Sequence, residues 1–392
     1  MPKKLTDITI IGAGLAGVVL SIALIKKGIQ ATVFEKRSKS DYSGMGIQIT
    51  PNGTSVLAQL GLDQSMREIG YKIDHVSVRD GPANREIFRV NVKKYREEGN
   101  LGYFTFDRGQ LLQILIEHAE QLGVTFRFNE TVHEYFEEDS FFGMTLSDGT
   151  STVPQVIVGA DGVASNLSNL FNPSQAAFQP RYAALRAITP KDAISGYDLQ
   201  NHVQLIYTTH GHLVSYPINQ GKFINFVAVV PHSNGMSSQF DVPHKSLDNS
   251  KIAQEIVTAA TKKKIYELFE GQIRPVWSKG NICLIGDALH PMLPFLAQGG
   301  SMAIEDGWTM ALALLSHATI EEAFASFKIL RRQRLNQVIR SSNLQGFINR
   351  PQNRLYRSIR SGLLQFADVV APNVIASNYE KIFNYRCPSN LN

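Results

Sequence analysis

The sequence predicts an α/β protein with a Rossmann-like parallel sheet, an inserted antiparallel or mixed sheet, and a C-terminal helical region. Three observations predict this fold. Strand, helix and strand signals follow one another between residues 7 and 35, an order that requires a parallel sheet. Successive β-rich runs occupy residues 203–230, and residues 323–367 have mostly helical patterns. A chain of 392 residues is long enough for two or three such units.

The composition is that of a globular protein with a large apolar core. Apolar residues make up 43% of the chain and charged residues 19%, somewhat below the roughly 25% charged that is typical of soluble domains. Cys283 and Cys387 are too few for a disulfide scaffold or a four-thiolate zinc site, and their scarcity predicts a reducing, cytoplasmic location. His210 and His212 have no cysteine or carboxylate cluster near them, so no metal site is predicted.

The net charge of +5 is concentrated in one segment. Residues 323–367 contain no aspartate or glutamate, so the rest of the chain is net acidic. A basic cluster of this kind permits binding to nucleic acid or to an anionic membrane. The basic residues of the segment are Lys328, Arg331, Arg332, Arg334, Arg340, Arg350, Arg354, Arg357 and Arg360.

An uncharged stretch near the N-terminus has the length of a signal anchor. Residues 8–25 contain no charge and are flanked by lysine pairs at positions 3–4 and 26–27. The three glycines inside it would each cost a helix about 1 kcal/mol, and a small-residue cleavage site is hard to place. No other stretch is long enough to cross a bilayer, so no integral membrane segment is predicted.

The first elements form a strand, helix, strand unit. Residues 7–11 have the pattern of a short buried strand, and residues 31–35 that of a second one. Between them, residues 15–27 have the pattern of a helix that Gly28 ends. The elements predicted after this unit are a helix over 111–122, with Asp107 as its N-cap and Gly123 at its end, and strands over 125–128 and 156–158.

The middle of the chain changes to β-rich runs. Residues 203–207, 212–218 and 222–230 are three such runs, and the turn residues 219–221 separate the last two as a hairpin loop would. These runs predict an antiparallel sheet. The other predicted elements are helices over 252–269, 302–315 and most of 323–367, and a strand over 282–285.

A glycine-rich turn joins the first strand to the first helix. At the spacing of Gly12, Gly14 and Gly17, the first glycine permits a tight turn, the second lets a pyrophosphate approach, and the third lets helix and strand pack. The start of the helix offers free N–H groups to phosphates, and Glu35 ends the next strand where a carboxylate can bind a ribose diol. The chain has one such turn, so a second dinucleotide domain is not expected. The predicted dinucleotide-binding residues of this unit are Gly12, Gly14, Leu15, Ala16, Gly17, Glu35 and Lys36.

Two motifs in the last third of the chain extend this prediction. Gly286-Asp287-Ala288-Leu289-His290-Pro291 follows a predicted strand, and Pro294-Phe295-Leu296-Ala297-Gln298-Gly299-Gly300 precedes a helix. Together with the glycine turn, these motifs resemble those of the group A flavoprotein aromatic hydroxylases, the family of para-hydroxybenzoate and salicylate hydroxylases. The resemblance implies that FAD is the dinucleotide, that Asp287 holds its ribitol and pyrophosphate side, and that the second motif starts a helix facing the isoalloxazine ring.

The resemblance covers nearly the whole chain. Residues 44–52 are similar to the family's loop against the flavin edge, and Arg108 matches an arginine that binds FAD in relatives. Asp161 lies in a motif that links flavin and NAD(P)H binding in the family. Ser168 and Phe327 depart from the pattern, since relatives usually carry arginine and tyrosine there. The FAD-binding residues implied in these segments are Gly46, Gln48, Arg108, Val132, Asp161, Gly286, Asp287, Gly299 and Gly300.

Residues 211–225 are most similar to the salicylate, 3-hydroxybenzoate and 6-hydroxynicotinate hydroxylases. In that subgroup the histidine that matches His212 lies beside the substrate. His212 and Tyr216 are four residues apart and share one face of a strand, so both can point at one ligand. The resemblance implies that His212 is a base for a substrate phenol, and that Pro294 and Gln298 shape the oxygen pocket. The alternative is that His212 is a hydrogen-bonded, inert histidine of the sheet.

The resemblance also implies a reaction. NADH or NADPH reduces FAD, O2 forms a flavin C4a-hydroperoxide, and its distal oxygen attacks an electron-rich carbon of a small aromatic substrate. The substrate would be phenolic or heteroaromatic and bear a carboxylate, and the protein would orient its ring and exclude water. A positive or hydrogen-bonding group must then hold the carboxylate, and the sequence does not identify that group.

The predicted domain organisation is discontinuous, and a monomer or a homodimer is expected. Several separated segments form the FAD-binding domain, and the substrate domain is inserted between them. The boundaries are 1–75, 101–175 and 276–322 for the FAD-binding domain, 76–100 and 176–275 for the substrate domain, and 323–392 for the C-terminal helical region.

Two alternative functions stay open. An FAD-dependent epoxidase or hydroxylase of an apolar terpenoid or polyketide would need no phenol-activating base. The basic segment could instead be an interaction module for an anionic membrane or nucleic acid, with the flavoprotein part only regulatory. Relatives also have arginine-rich helices there, and arginines can serve the phosphates of FAD or NAD(P)H. We therefore predict no nucleic-acid partner and leave peripheral membrane contact open.

Overall fold

The computed structural model of the chain describes residues 5–41, 44–96, 101–139, 141–173, 180–194, 200–232, 251–269, 272–349, 354–370 and 372–390. The strands are β1 (Ile8–Ile11), β2 (Ala31–Glu35), β3 (Gly46–Ile49), β4 (Tyr71–Ile73), β5 (His75–Asp80), β6 (Arg85–Asn91), β7 (Tyr103–Asp107), β8 (Thr125–Phe128), β9 (Val132–Glu138), β10 (Phe141–Leu146), β11 (Ser151–Thr152), β12 (Val156–Gly159), β13 (Pro180–Pro190), β14 (His202–Tyr207), β15 (His212–Ile218), β16 (Phe223–Pro231), β17 (Lys262–Phe269), β18 (Ser278–Lys279) and β19 (Ile282–Leu284). The helices are α1 (Leu15–Ile25), α2 (Pro51–Gln59), α3 (Asp63–Ile69), α4 (Arg108–Gln121), α5 (Asn166–Phe171), α6 (Lys251–Thr258), α7 (Gly299–Ser316), α8 (Ile320–Asn349), α9 (Arg354–Val370) and α10 (Pro372–Phe383).

A six-stranded, mainly parallel sheet forms one half of the fold. Its strand order is β18-β19-β12-β1-β2-β8, and α1 packs against α7 beside it. Ile8 pairs with Ala31 on one side and with Val156 on the other, and every residue of β1 is buried. Uninterrupted apolar strands of this kind are typical of parallel sheets. The predicted strand, helix, strand unit and its parallel sheet are confirmed.

Seven strands form a second sheet in the order β17-β13-β16-β15-β14-β5-β6. Neighbouring strands are antiparallel except β14 and β5, which are parallel, so the sheet is mixed, as the sequence predicts. The predicted hairpin turn at 219–221 joins β15 to β16. Two three-stranded sheets, β11-β10-β9 and β3-β7-β4, complete the sheets of the described residues.

The predicted helix over 252–269 is wrong in its second half. α6 ends at Thr258, and β17 follows, paired antiparallel with β13. Ile265 packs against an apolar cluster of the sheet, whereas the three lysines before it are exposed. Cross-strand packing against β13 outweighs the helix propensity of those lysines. Lysines also suit this position, because β17 is an edge strand among the described residues and charge discourages pairing with another chain.

The C-terminal region is helical, as predicted, and consists of α8, α9 and α10. α8 packs along α7, and α10 packs against α9. Within the described part of the chain, no helix is both long enough and apolar enough to cross a membrane.

A network of buried charges joins α7, α8 and the loop after β19. Arg331 Nη1 donates to Glu305 Oε2 at 2.6 Å, and its Nε donates to Asp306 Oδ1 at 2.7 Å. Arg334 Nη2 donates to Glu305 Oε1 at 2.9 Å, and His290 Nε2 lies 2.5 Å from Asp306 Oδ2. None of these five side chains is more than 3% exposed.

The network extends to the loop and to α10. Asp306 Oδ2 accepts from the N–H of Gly286 at 2.8 Å, and Arg334 Nη2 donates to the carbonyl of Ile382 at 2.9 Å. Burial would raise the pKa of the Asp306 carboxyl, but His290 and Arg331 outweigh burial and hold that pKa at about 2. The carboxylate is therefore charged at neutral pH, and it ties the C-terminal helices to the loop after β19.

Removing Arg331 is expected to destabilise the fold strongly, because Glu305 and Asp306 would stay buried and charged without their main partner. An Arg331→Ala variant should lose about 3–5 kcal/mol of free energy of unfolding, measured by urea unfolding followed by circular dichroism. Arg332→Ala is the matched control. Arg332 is exposed at the next position, so its loss should cost at most about 0.5 kcal/mol. Equal stability of the two variants would contradict this account of the network.

Candidate active site

A cavity of about 440 Å³ lies between the seven-stranded sheet and the loops that leave one edge of the parallel sheet. It is lined by predicted residues as far apart in the sequence as Gly14 and Gly300, so the fold brings both glycine-rich segments to one space. The predicted site residues that line it are Gly14, Leu15, Ala16, Gly46, Gln48, Arg108, His212, Tyr216, Asp287, Pro294, Gly299 and Gly300.

The loops meet because their strands are parallel. β1, β2, β12 and β19 point the same way, so the loops that follow them leave the same edge of the sheet, which is where open α/β sheets bind ligands. Val132 belongs to this region because Glu130, two residues before it, donates its N–H to the carbonyl of Glu35 at 3.1 Å. The predicted residues that lie here without lining the cavity are Gly12, Gly17, Glu35, Lys36, Val132, Asp161 and Gly286.

The glycine turn after β1 leaves no room for side chains at two of its positions. Gly12 has a φ of 106°, and a Cβ there would lie 2.5 Å from the carbonyl oxygen of Ala160. A Cβ at Gly17 would lie 2.1 Å from the carbonyl oxygen of Gly12. At Gly14 the nearest atom would be 3.9 Å away, so the start of α1 is open to the cavity. No side chain caps this helix, and its first N–H groups are available to a phosphate.

The Glu35 carboxylate is bonded to the turn itself. Its Oε2 accepts from the N–H of Ala13 at 3.0 Å, and its Oε1 accepts from the backbone N–H of Arg37 at 3.0 Å and from the Arg37 Nε at 3.1 Å. Glu35 therefore stabilises the glycine turn directly. A carboxylate accepts about four hydrogen bonds, so a ribose would use the capacity that remains.

Asp287 faces the cavity from a short turn after β19. The buried charge network holds this turn, because the N–H of Gly286 donates to Asp306. The Asp287 side chain is exposed at the cavity, so a ligand hydroxyl can reach its carboxyl and donate to it. Desolvation by the surrounding protein raises the pKa of this carboxyl, although His290 and Arg108 oppose the rise.

A buried polar network joins the start of α2 to the start of α7. Gln298 Nε2 donates to Thr50 Oγ1 at 2.9 Å, and Asn52 Nδ2 donates to Gln298 Oε1 at 3.1 Å and to Glu305 Oε1 at 2.7 Å. Gln298 is only 1% exposed and does not line the cavity. This corrects the prediction that its side chain shapes an oxygen pocket. Thr50 and Asn52 belong to the predicted segment 44–52, but their bonds to Gln298 were not predicted, because the partners lie roughly 250 residues apart in the sequence.

His212, Val214 and Tyr216 alternate along β15 and line the cavity together, on the shared face that the sequence predicts. His212 is 4% exposed, and burial, with the charge of Arg360, lowers the pKa of its imidazole to about 3. Its ring centroid lies 5.4 Å from that of Phe295. None of the described residues hydrogen-bonds to its ring nitrogens. The imidazole is thus neutral and available to a ligand, not hydrogen-bonded within the sheet.

Arg186 of β13 lines the cavity beside Tyr216, and sequence analysis did not find it. Its guanidinium donates to the carbonyl of Gly46. Arg186 and Gln48 both lower the pKa of the Tyr216 hydroxyl, and the Gln48 amide oxygen accepts from the Tyr103 hydroxyl at 2.5 Å. Burial raises the pKa of Tyr216, so its hydroxyl stays protonated. The signal in the sequence was a charge in the middle of the apolar run 183–188 of β13.

Two buried arginines of residues 323–367 do not serve cofactor phosphates. Arg331 and Arg334 pair with the two carboxylates of the buried network and do not line the cavity. The Arg360 guanidinium lies 3.9 Å from the centroid of the Tyr207 ring. The phosphate role considered for the basic segment is therefore wrong for Arg331 and Arg334, and it stays a prediction for the other basic residues. The other basic side chains that the structure describes in this segment are the exposed Lys328, Arg332 and Arg340.

The cavity fits FAD. α1 and α7 both begin at the cavity without a side-chain cap, so the free N–H groups of both helices would be available to the electronegative atoms of FAD. Asp287 supplies an acceptor for a sugar hydroxyl between them. A Cβ at Gly300 would lie 2.9 Å from the Ile47 side chain, so glycine keeps the start of α7 close to the β3 loop.

Comparison with known proteins agrees with this fit. A family model described as an FAD binding domain matches residues 5–342. The 3-amino-4-hydroxybenzoate 2-monooxygenase of Streptomyces platensis is 30% identical over 367 residues, which cover 89% of this chain and 90% of that protein. The 3-hydroxybenzoate 6-hydroxylase 1 of Aquipseudomonas alcaligenes is 29% identical over 318 residues, which cover 79% of this chain and 80% of that protein.

A solved structure shows the same fold. Klebsiella pneumoniae HpxO, complexed with FAD and uric acid, has a TM-score of 0.82 against this chain at 18% identity, over 96% of this chain and 97% of that one. The family match spans most of the sequence, including both glycine-rich segments of the cavity. The chain therefore belongs to the FAD-binding-domain family, and it is an FAD-dependent monooxygenase.

Proposed function

We propose that the protein hydroxylates a small aromatic substrate, phenolic or heteroaromatic and bearing a carboxylate, with O2 and with NADH or NADPH as electron donor. The observation that carries this proposal is His212, a buried neutral imidazole in the cavity without a hydrogen-bond partner among the described residues. The two relatives support it, because their names give hydroxybenzoates as substrates.

His212 would accept the proton of the substrate hydroxyl. A phenolate is a better nucleophile toward an electrophilic oxygen than the neutral phenol is. Positioned proton transfer of this kind is typically worth about 10²–10⁴ in rate. The pKa of about 3 is that of the His212 imidazole when no substrate is bound. A phenolate beside the ring would raise this pKa, because the ion pair offsets the cost of burying the charged imidazole.

When bound, FAD supplies the redox chemistry by taking electrons from NAD(P)H and activating O2. We assign the pyrophosphate and ribitol to the first N–H groups of α1 and to Asp287, on the basis of the open turn at Gly14. Arg108, Gly299 and Gly300 line the same cavity and would hold the rest of the flavin.

Apolar residues around His212 would keep water away from the reacting ring. Val214, Val229, Leu268 and Pro294 line this end of the cavity. Excluding water strengthens the hydrogen bond between imidazole and substrate and limits loss of activated oxygen to solvent. Tyr216 would then position the substrate with a neutral hydroxyl that Arg186 and Gln48 hold in place.

An apolar terpenoid or polyketide is a poorer match for this cavity. Arg186 and His212 would both lose access to water on binding such a ligand and would gain no polar partner from it. Leaving buried polar groups unpaired costs about 1–3 kcal/mol each, and more for a charge. The polar groups therefore favour an aromatic acid over the apolar alternative.

We also propose how the chain is divided and where it works. The segments of the parallel sheet form the FAD-binding domain. The seven-stranded sheet, which includes β5 and β6, forms the substrate domain, along the boundaries predicted from the sequence. The two free cysteines, both buried, support a cytoplasmic location. For the assembly, a monomer or a homodimer stays the prediction.

Asp287→Ala is expected to weaken FAD binding by about 10-fold or more, because one charged acceptor for a sugar hydroxyl is lost. Flavin titration of the apoprotein, followed by fluorescence quenching, measures the change. Asp192→Ala is the control, since Asp192 is exposed on a short turn after β13. If the unaltered protein, refolded with excess FAD, shows no bound flavin, the assignment of the cavity fails.

His212→Ala should separate flavin chemistry from substrate chemistry. FAD binding and reduction should survive, hydroxylation should fall by about 10²–10⁴, and the electrons should appear as hydrogen peroxide. Raising the pH toward the pKa of the substrate phenol should recover part of the rate. His210→Ala is the control, because His210 is exposed two residues earlier. Unchanged turnover and coupling in His212→Ala would make His212 structural and favour the epoxidase alternative.

The pH dependence should lack an ordinary histidine ionisation. The pKa of His212 is lowered from 6.5 to about 3, so its proton-accepting form persists as the pH falls from 8 to 5. A profile of kcat/KM, which reports groups of the free enzyme and free substrate, should show no loss near pH 6.5. A loss with an apparent pKa of 6 to 7 that disappears in His212→Ala would contradict this.

A further inference from the structure

Arg186 and His212 lie at opposite ends of one apolar wall of the cavity, and both face the cavity. The wall is the inner face of three neighbouring strands, β13, β16 and β15. In the register of the sheet, Arg186 pairs with Val227, which pairs in turn with Val214 of β15. His212 pairs with Val229 and is the next residue of β15, after Val214, that faces the cavity. All five side chains line the cavity.

The register fixes the distance between the two polar groups. Strands lie about 4.8 Å apart and residues rise about 3.3 Å along a strand, so the Cα atoms of Arg186 and His212 are about 12 Å apart. Side chains stand roughly perpendicular to a sheet. The Arg186 guanidinium and the His212 imidazole therefore remain separated by about the length of a small aromatic ring with a hydrogen bond at each end. The three valines between them provide an apolar floor for such a ring.

Among the described residues, Arg186 has no counter-charge. Its guanidinium donates to the Gly46 carbonyl and lowers the pKa of Tyr216, and its buried Nε has no partner in that part of the chain. The Tyr266 ring flanks the guanidinium with its centroid at 5.8 Å. No carboxylate of the described residues pairs with it. A partly buried cation that a ligand would cut off from water is unfavourable without a counter-ion, so the cavity favours an anion at this point.

We propose that Arg186 binds the substrate carboxylate while His212 accepts from the substrate hydroxyl, so that the enzyme selects aromatic acids whose hydroxyl is meta or para to the carboxylate. This inference rests on the proposed function and adds the geometry of the substrate. In an ortho acid the two groups are adjacent on the ring, so the molecule reaches Arg186 or His212 but not both. A guanidinium also matches a carboxylate geometrically, through paired N–H donors.

The first test compares positional isomers on the unaltered holoenzyme. Binding of 2-, 3- and 4-hydroxybenzoate is measured through the absorbance change of the bound flavin, without NAD(P)H, so that no turnover occurs. At least one of the 3- and 4-hydroxy acids should bind about 10-fold or more tightly than 2-hydroxybenzoate, because it gains a second hydrogen bond to a buried group. Tighter or equal binding of the 2-hydroxy acid would overturn the inference.

The second test assigns the carboxylate to Arg186. In Arg186→Gln, affinity for the favoured acid should fall by about 10–100-fold, as expected for loss of a charged hydrogen bond, while affinity for its uncharged amide should change little. Arg186→Lys should retain part of the affinity, because the charge remains. Arg181→Gln is the control, since Arg181 is exposed near the start of the same strand. Equal losses for acid and amide would overturn the role of Arg186.

The two proposals fail in different ways. Hydroxylation of 2-hydroxybenzoate with coupled NAD(P)H consumption, together with weak binding of the other isomers, would overturn the meta and para selection and leave aromatic hydroxylation standing. Coupled turnover of an apolar alkene, with no binding of any of the three acids, would overturn both.

Discussion

The ion pairs of Arg331 and Arg334 with Glu305 and Asp306 are the interaction on which the rest of the site depends. Removing four charges from water is costly, and only well-placed partners offset that cost. Here each carboxylate is bonded to two or more donors, and one of them is the N–H of Gly286. The network therefore specifies one relative position for α7, α8 and the loop after β19, because any shift would leave a charge unpaired.

That fixed position explains how one cavity receives two helix N-termini. α1 begins after β1 and α7 begins after the loop that the network holds, and both point their free N–H groups at the same space. Asn52 extends the arrangement to the start of α2 by donating both to Gln298 and to Glu305. The cofactor edge of the cavity is thus rigid, whereas the opposite wall is a sheet face whose side chains can differ without disturbing it.

The sequence predicted the features that depend on neighbours in the chain. The glycine turn, the Asp107 cap and the alternation of His212 and Tyr216 are local patterns, and each was found where it was expected. Features that depend on distant partners were missed. Gln298 turns away from the cavity because Thr50 and Asn52 bond to it, and β17 is a strand because β13 lies beside it. No local pattern records such partners.

The electrostatics of the cavity explain why a neutral histidine and several arginines occur together. Arg108 and Arg186 line the cavity, and Arg360 lies on the ring of Tyr207, the cross-strand neighbour of His212. A protonated His212 would add another positive charge to this desolvated space, and both burial and Arg360 oppose it. An anionic substrate reverses the balance, because its carboxylate neutralises an arginine and its phenolate favours the imidazolium. On the proposed function, the histidine would become a better base only when the substrate is in place, and proton transfer would then be coupled to binding of the correct acid.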